Sequence, residues 1–405
     1  MPSFRMFMLA MLFFTGGMQM QIVAQGWLVY HISGSGLALG IVTSMWSVSA
    51  IVFSPIGGVV ADRMERRRLL ILTWGAAAAI FAVLTILIMA DLIQVWHLAL
   101  GAFLHGALFS FNIPARFAFL AQLVGNSHLM SATALISVIF NFTGAISPLI
   151  GGGLIDLLGP SAAYLIVALL YLLTAGVTIL LPPSETRNTA SRPGVLPELI
   201  AGIRYILKDF SLRWLWVLGL VTVVLGQPYF ILLPGFAAAT LGLPAFGLGL
   251  LFSTVAVGAL VGNLMVASLQ GTTRLWQCML LLGAASGVSL MWLALTQSLY
   301  PALAALFILG VSGLPFFTLN QTEVQLRTAP EMRGRVLSLF TLTWAAMPLG
   351  AIPVSSAADK VGFSIPILFC GGAILAIMVV AAWLCRSMLG LTPQHRKPSN
   401  LSAGA

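Results

Sequence analysis

Charge is what this sequence has least of. Only 7% of its 405 residues are Asp, Glu, Lys or Arg, against roughly 25% in an ordinary soluble domain. That leaves too little polar surface to wrap a soluble core of this size. Acid is scarcer than base, with 10 Asp and Glu against 19 Lys and Arg. Cysteine is rare as well: Cys278, Cys370 and Cys385 all lie in apolar stretches without CxxC or Cys/His spacing, so neither a disulfide nor a metal site is expected. A P-loop, an HExxH pair and a Ser/His/Asp constellation are missing, which argues against an enzyme. What is present is apolar. AVILMFWYC residues make up 60% of the chain, with 40 Gly and 20 Pro, and mean hydropathy is +1.04. Glycine and proline at this level suit membrane helices that pack closely and bend. Lipid is the solvent that fits.

Apolar runs of about 20 residues, the length that crosses a bilayer, recur near 6–30, 37–61, 69–90, 95–115, 131–155, 162–182, 214–236, 246–269, 275–296, 300–320, 335–357 and 364–385. The first is too long for a signal-peptide core and runs straight into more membrane pattern, so it reads as a retained span. The net charge of +9 forms no face or arm that would bind nucleic acid; the basic residues sit in short turns. With the N-terminus in the cytoplasm, 18 of the 19 Lys and Arg fall on the inner side and only Lys360 outside. A miscounted span would scramble that bias, so twelve spans with both termini cytoplasmic are expected.

The longest inner connection, 183–213, separates six spans from six. Within it Leu196, Leu199, Ile200, Ile203, Ile206 and Leu207 repeat at helical spacing opposite Glu198, Arg204 and Lys208. That pattern is an amphipathic helix on the cytoplasmic surface. The expected organisation is a six-helix bundle at 1–182, the linker at 183–213, a second bundle at 214–386 and a tail at 387–405. Asp156-Leu-Leu-Gly159 follows span five and Asp359-Lys-Val-Gly362 follows span eleven, 203 residues later, which points to an internal duplication. The fold class is therefore an all-α membrane protein of two pseudo-symmetric bundles.

Between spans two and three stands Gly57-Gly58-Val-Val-Ala-Asp62-Arg63-Met-Glu65-Arg66-Arg67-Arg68. It resembles the signature loop of the major facilitator superfamily, Gly-x3-Asp-Arg-x-Gly-Arg-Arg, with Glu65 where the second glycine is usual. Gly58 lets helices approach, Asp62 can cap a helix or pair with an arginine as an inner latch, and Arg63, Arg66 and Arg67 can anchor the loop to anionic lipid. Val23-Ala-Gln-Gly-Trp27-Leu-Val-Tyr30, Pro114-Ala-Arg116, Leu232-Leu-Pro234, Gly258-x3-Gly262 and Pro330-Glu-Met-Arg333-Gly334-Arg335 look like the drug- and siderophore-exporter branch. Span five carries Gly144, Ser147, Pro148, Gly151 and Gly152, similar to a Gly-Pro-x2-Gly-Gly signature of exporters in which proline bends the helix and glycines open a groove.

No Asp, Glu, Lys or Arg falls in the middle third of any span, although such groups commonly mark ion pathways. His105 is the one imidazole near mid-depth and a candidate for proton coupling, as is Asp62 in the loop. His105, Asn112 and Arg116 lie at i, i+7 and i+11, on one helical face. The resemblance implies that spans one, four, seven and ten line a central cavity. Its candidates are Gln21, Gln25, Asn112, Arg116, Gln227, Tyr229, Asn320 and Glu323, with Trp344 from span eleven. Arg116 and Glu323 end corresponding spans and could pair to shut the inner mouth.

These features imply a secondary transporter of the cytoplasmic membrane that exports a small organic molecule by alternating access, with siderophores, antibiotics and lipophilic drugs as family-level substrates. It is expected to act as a monomer without metal or cofactor, the proton being the one coupling partner the family implies. A uniporter or importer of a small metabolite stays open, as does a membrane scaffold with no substrate of its own.

Overall fold

The computed structural model describes residues 2–125, 127–184, 195–268, 275–329 and 331–384, and among these there is no strand. The first six helices are α1 (Pro2–Ser33), α2 (Gly36–Arg63), α3 (Arg66–Met89), α4 (Val95–Val124), α5 (Leu129–Leu158) and α6 (Pro160–Ile179). The linker helix α7 (Val195–Lys208) follows. The second half comprises α8 (Phe210–Gly226), α9 (Pro228–Gly235), α10 (Ala245–Ser268), α11 (Leu275–Leu295), α12 (Leu299–Arg327), α13 (Arg333–Thr343), α14 (Met347–Val361) and α15 (Ser364–Leu384).

Eleven stretches among the described residues are long and apolar enough to cross a membrane. One of them, Phe210–Thr240, is built from α8, α9 and a π turn at Phe236–Thr240. Proline explains both irregularities. Pro228 opens α9, where the lack of an N–H costs least, and Pro234 sits inside it. Pro234 cannot donate to the carbonyl one turn back, and the chain widens after it. The twelfth expected crossing, 335–357, is not one helix: α13 and α14 are joined by a 3-10 turn at Trp344–Ala346. Pro348 cannot complete the α-helical bond to Trp344, whose carbonyl takes the Met347 amide instead.

Close packing follows the small residues. A methyl group added to Gly106 would overlap the Trp46 carbonyl, so α2 and α4 touch backbone to backbone; Gly258 and Gly310 do the same for α10 and α12. Large apolar residues such as Leu72, Ile86, Leu281 and Phe369 point outward and are exposed. In a chain this poor in charge they form a lipid-facing surface. The linker helix does more than lie on a surface. Its Gly202 abuts the Arg335 carbonyl and Leu339 of α13, the Tyr205 hydroxyl accepts the Ala329 amide at 3.2 Å, and Ile206 is buried, while Ile200, Ile203 and Leu207 stay exposed.

Candidate functional site

His105 is buried inside the first six helices, 4% exposed. Its Nε2 lies 3.0 Å from the Tyr171 hydroxyl on α6, and its Nδ1 lies 3.5 Å from Gln21 Nε2 on α1. Gln21 also donates to Gln25 Oε1 at 3.1 Å. Phe81 meets the imidazole edge-on at 5.3 Å and stacks on Tyr171 at 5.4 Å. The chain Gln25–Gln21–His105–Tyr171 is thus a continuous polar line inside an aromatic sheath. Tyr171 was not among the residues singled out from sequence. Its signal is the Tyr164/Tyr171 pair, seven apart on one face of α6 and both buried.

The stripe expected along α4 faces this interior. Asn112 donates to Thr73 on α3 at 3.1 Å. Arg116 lies over the Phe14 ring at 5.0 Å and the Phe117 ring at 5.6 Å, an arrangement that favours a cation through the ring quadrupole. It does not pair with Glu323: that buried carboxylate accepts from Arg327 at 2.8 Å, one turn along α12. Asn320 is also turned inward, donating to the Leu215 carbonyl at 2.9 Å. Trp344 packs edge-on against Phe317 at 5.3 Å. Gln227 and Tyr229 share one small cavity of about 40 Å³ within the second half, together with Thr222, Ser286 and Leu309.

Gly58 and Asp62 belong to α2, but the surroundings of Gly58 and the side chain of Asp62 lie outside what is described, as do residues 185–194 of the linker, Gly271–Arg274 and the 387–405 tail. The loop's other members bind the first bundle or the start of the linker. Arg67 donates to the Thr178 carbonyl at 3.3 Å and to Ile179, at the end of α6; a cation there complements the negative end of the helix dipole. Arg66 donates to the Ala118 carbonyl at 3.4 Å. Glu65 accepts the Ser184 amide at 3.2 Å and pairs with Arg68 at 2.7 Å. Arg63 is exposed.

The glycine and proline motif of α5 lies where the two halves meet. A methyl group on Gly144 would come within 2.7 Å of Gln19 Nε2 and 3.4 Å of Ala256 on α10, and one on Gly151 within 2.8 Å of Met20 on α1. At Gly152 it would overlap the Ala245 carbonyl, and Gly249 of α10 sits equally close to the Pro148 carbonyl. A cleft of about 270 Å³ opens nearby, lined by Trp27, Tyr30, His31 and Gly34 of the first half and Pro234 and Ala238 of the second. Trp27 and His31 stack at 4.4 Å along it.

Two bundles of apolar helices joined along glycine-lined seams, with a buried polar line inside one of them, define a multi-pass membrane transporter of the major facilitator type. The family model described as "Transmembrane secretion effector" matches residues 1–400, and the chain belongs to that family. The chain is 28% identical to the enterobactin exporter EntS of Escherichia coli O1:K1 / APEC, with 94% of this chain and 92% of the relative covered. It is 26% identical to the MFS-type transporter YfiS of Bacillus subtilis (strain 168), over 87% and 85%. Among solved structures, the nucleoside transporter NupG matches with a TM-score of 0.76 at 12% identity, covering 97% of this chain and 100% of that one. A bacterial homologue of the human lysosomal transporter Spinster, inward-facing and occupied, matches at 0.73 and 13% identity, covering 96% of each.

Proposed function

We propose that this protein exports a small organic molecule of the siderophore, antibiotic or lipophilic-drug kind across the cytoplasmic membrane by alternating access, as a single chain with both termini inside. The observation that carries the reading is the α5–α10 seam. Gly144, Pro148 and Gly152 sit on the contact between halves, where a motif can decide which end opens, while Gly151 packs on Met20 of α1 within its own half. The likeness to the enterobactin exporter EntS supports the direction. With the arginine-rich turns inside, the glycine-lined seams and the cleft beside them lie at the outer end.

Proton exchange is proposed to run through His105, whose ring nitrogens both have polar partners. The second reading is uncoupled export, favoured by the complete enclosure of His105 within one half. Efflux of a panel of siderophores, antibiotics and dyes from everted vesicles, with and without a pH gradient, separates them. Gradient-dependent transport by wild type and gradient-insensitive transport by His105→Gln supports antiport. Equal gradient-driven rates in both proteins remove His105 from the coupling step. Inward flow of every transported compound in whole cells would overturn export. Asp62→Asn should insert normally and transport poorly if Asp62 latches the inner gate.

A further inference from the structure

Two aspartates in equivalent positions reach across the boundary between halves and cap helices that belong to the other half. Asp156 stands in the last turn of α5, three residues before the terminating Gly159 at φ +84°. Asp359 stands in the last turn of α14, three before Gly362 at φ +80°. A carboxylate at the C-terminal end of its own helix opposes that helix's dipole, so neither residue serves the helix that carries it. Asp156 accepts the Ala245 amide at 3.0 Å and the Phe246 amide at 2.8 Å, at the start of α10. Asp359 accepts the Leu37 amide at 3.1 Å, the Gly36 amide and the Ser35 hydroxyl at 2.7 Å, at the start of α2.

These amides are the orphan donors of a helix start, which need partners from elsewhere. In α10 the residue before Ala245 is Pro244, whose side chain has no acceptor. In α2 Ser35 caps only Ala38. The surrounding seams correspond as well. Gly249 abuts the Pro148 carbonyl, and Gly40, 209 residues earlier, faces the Ala351 carbonyl at 3.3 Å, 203 residues after Pro148. Asp359 is exposed, beyond the apolar part of its chain. Its partial burial raises the carboxyl, but the bonds from Ser35, Leu37 and Gly36 outweigh that and hold it below the ordinary carboxylate range.

We propose that Asp156 and Asp359 form a pair of symmetry-related clasps that hold this end of the transporter shut, and that both must release for it to open. They are positioning residues of the transport cycle, and they touch no substrate. The clasps extend the alternating-access reading but do not depend on substrate identity, direction or proton coupling.

The test is a double electron–electron resonance measurement on purified full-length protein in lipid nanodiscs, with Cys278, Cys370 and Cys385 replaced. One label pair, Leu157→Cys with Tyr300→Cys, spans the clasp end; another, Met130→Cys with Leu264→Cys, spans the opposite end. All four positions are exposed. Asp156→Ala/Asp359→Ala should shift the population ratio roughly tenfold toward longer distances at the clasp end, as expected for lost charge-assisted bonds, with a reciprocal shortening at the other end. Asp156→Asn/Asp359→Asn, which keeps the volume, should shift the same way to a smaller extent. Unchanged distances at both ends in both variants overturn the proposal. Broadening at both ends without reciprocity also overturns it, because that assigns the aspartates to stability alone.

Discussion

Among the described residues, the two ends of this molecule use their charges in opposite ways. At the end holding the Arg63–Arg68 loop, these charged groups bind their own half or the start of the linker: Arg67 binds the end of α6, Arg66 binds α4, Glu65 takes the Ser184 amide of the linker and Glu323 takes Arg327. At the far end the acids cross the boundary, Asp156 to α10 and Asp359 to α2. Bonds within a half travel with it when the halves rock, and bonds across the boundary must break. The first kind makes each bundle rigid. The second kind sets which state is populated.

The comparison breaks most sharply at the seam itself. Gly152→Leu places a side chain where the Ala245 carbonyl already stands, so the closed end cannot form; efflux should fall by more than about tenfold while the protein still inserts, as read by membrane yield and vesicle transport. A smaller effect is expected where charge stays within one half. Arg327→Gln strands the buried Glu323 carboxylate and should cost about 1–3 kcal/mol, seen as a lower Tm in detergent, with clasp-end distances unchanged. Tyr171→Phe removes one partner of His105 and should cost about 1 kcal/mol, again by thermal melting. Arg67→Gln loses a cation at the end of α6 and should cost about 0.3–1 kcal/mol. The pH response sharpens the same contrast. Because Asp359 is held below the ordinary carboxylate range, its contribution is present above that range and is lost only as pH falls through its lowered value. Acidification into the ordinary range should therefore leave the α2–α14 seam closed, as read by the spin-label distances.

Much of the fold was legible in sequence because lipid imposes simple rules. A run of apolar residues must be a helix, and its length must match the bilayer. The misfit at 335–357 and the π turn after Pro234 show the limit: proline marks a break, but whether the helix kinks, widens or splits depends on its neighbours. The candidate site was less legible. His105, Gln21, Asn112 and Arg116 carry the right chemistry and helical phase, yet phase alone does not say which side of α4 faces the path between halves and which faces α1, α3 and α6. The structure turns Asn112 to Thr73 and leaves Arg116 on Phe14. Tyr171 escaped notice because a tyrosine in an apolar span looks like packing until a histidine 66 residues away comes within 3.0 Å.

By itself the sequence determined the solvent, the length and approximate placing of the helices, the division into repeated halves and the superfamily, because each depends on hydropathy, charge counts or short contiguous motifs. It also held the repeated Asp156 and Asp359, whose four-residue frames match. Only the tertiary structure decided what those acids do. Their partners are backbone amides, which leave no mark in sequence, and they belong to helices 89 and more than 320 residues away. A carboxylate and a helix start attract one another wherever they meet, and only the packing of one half on the other brings them together.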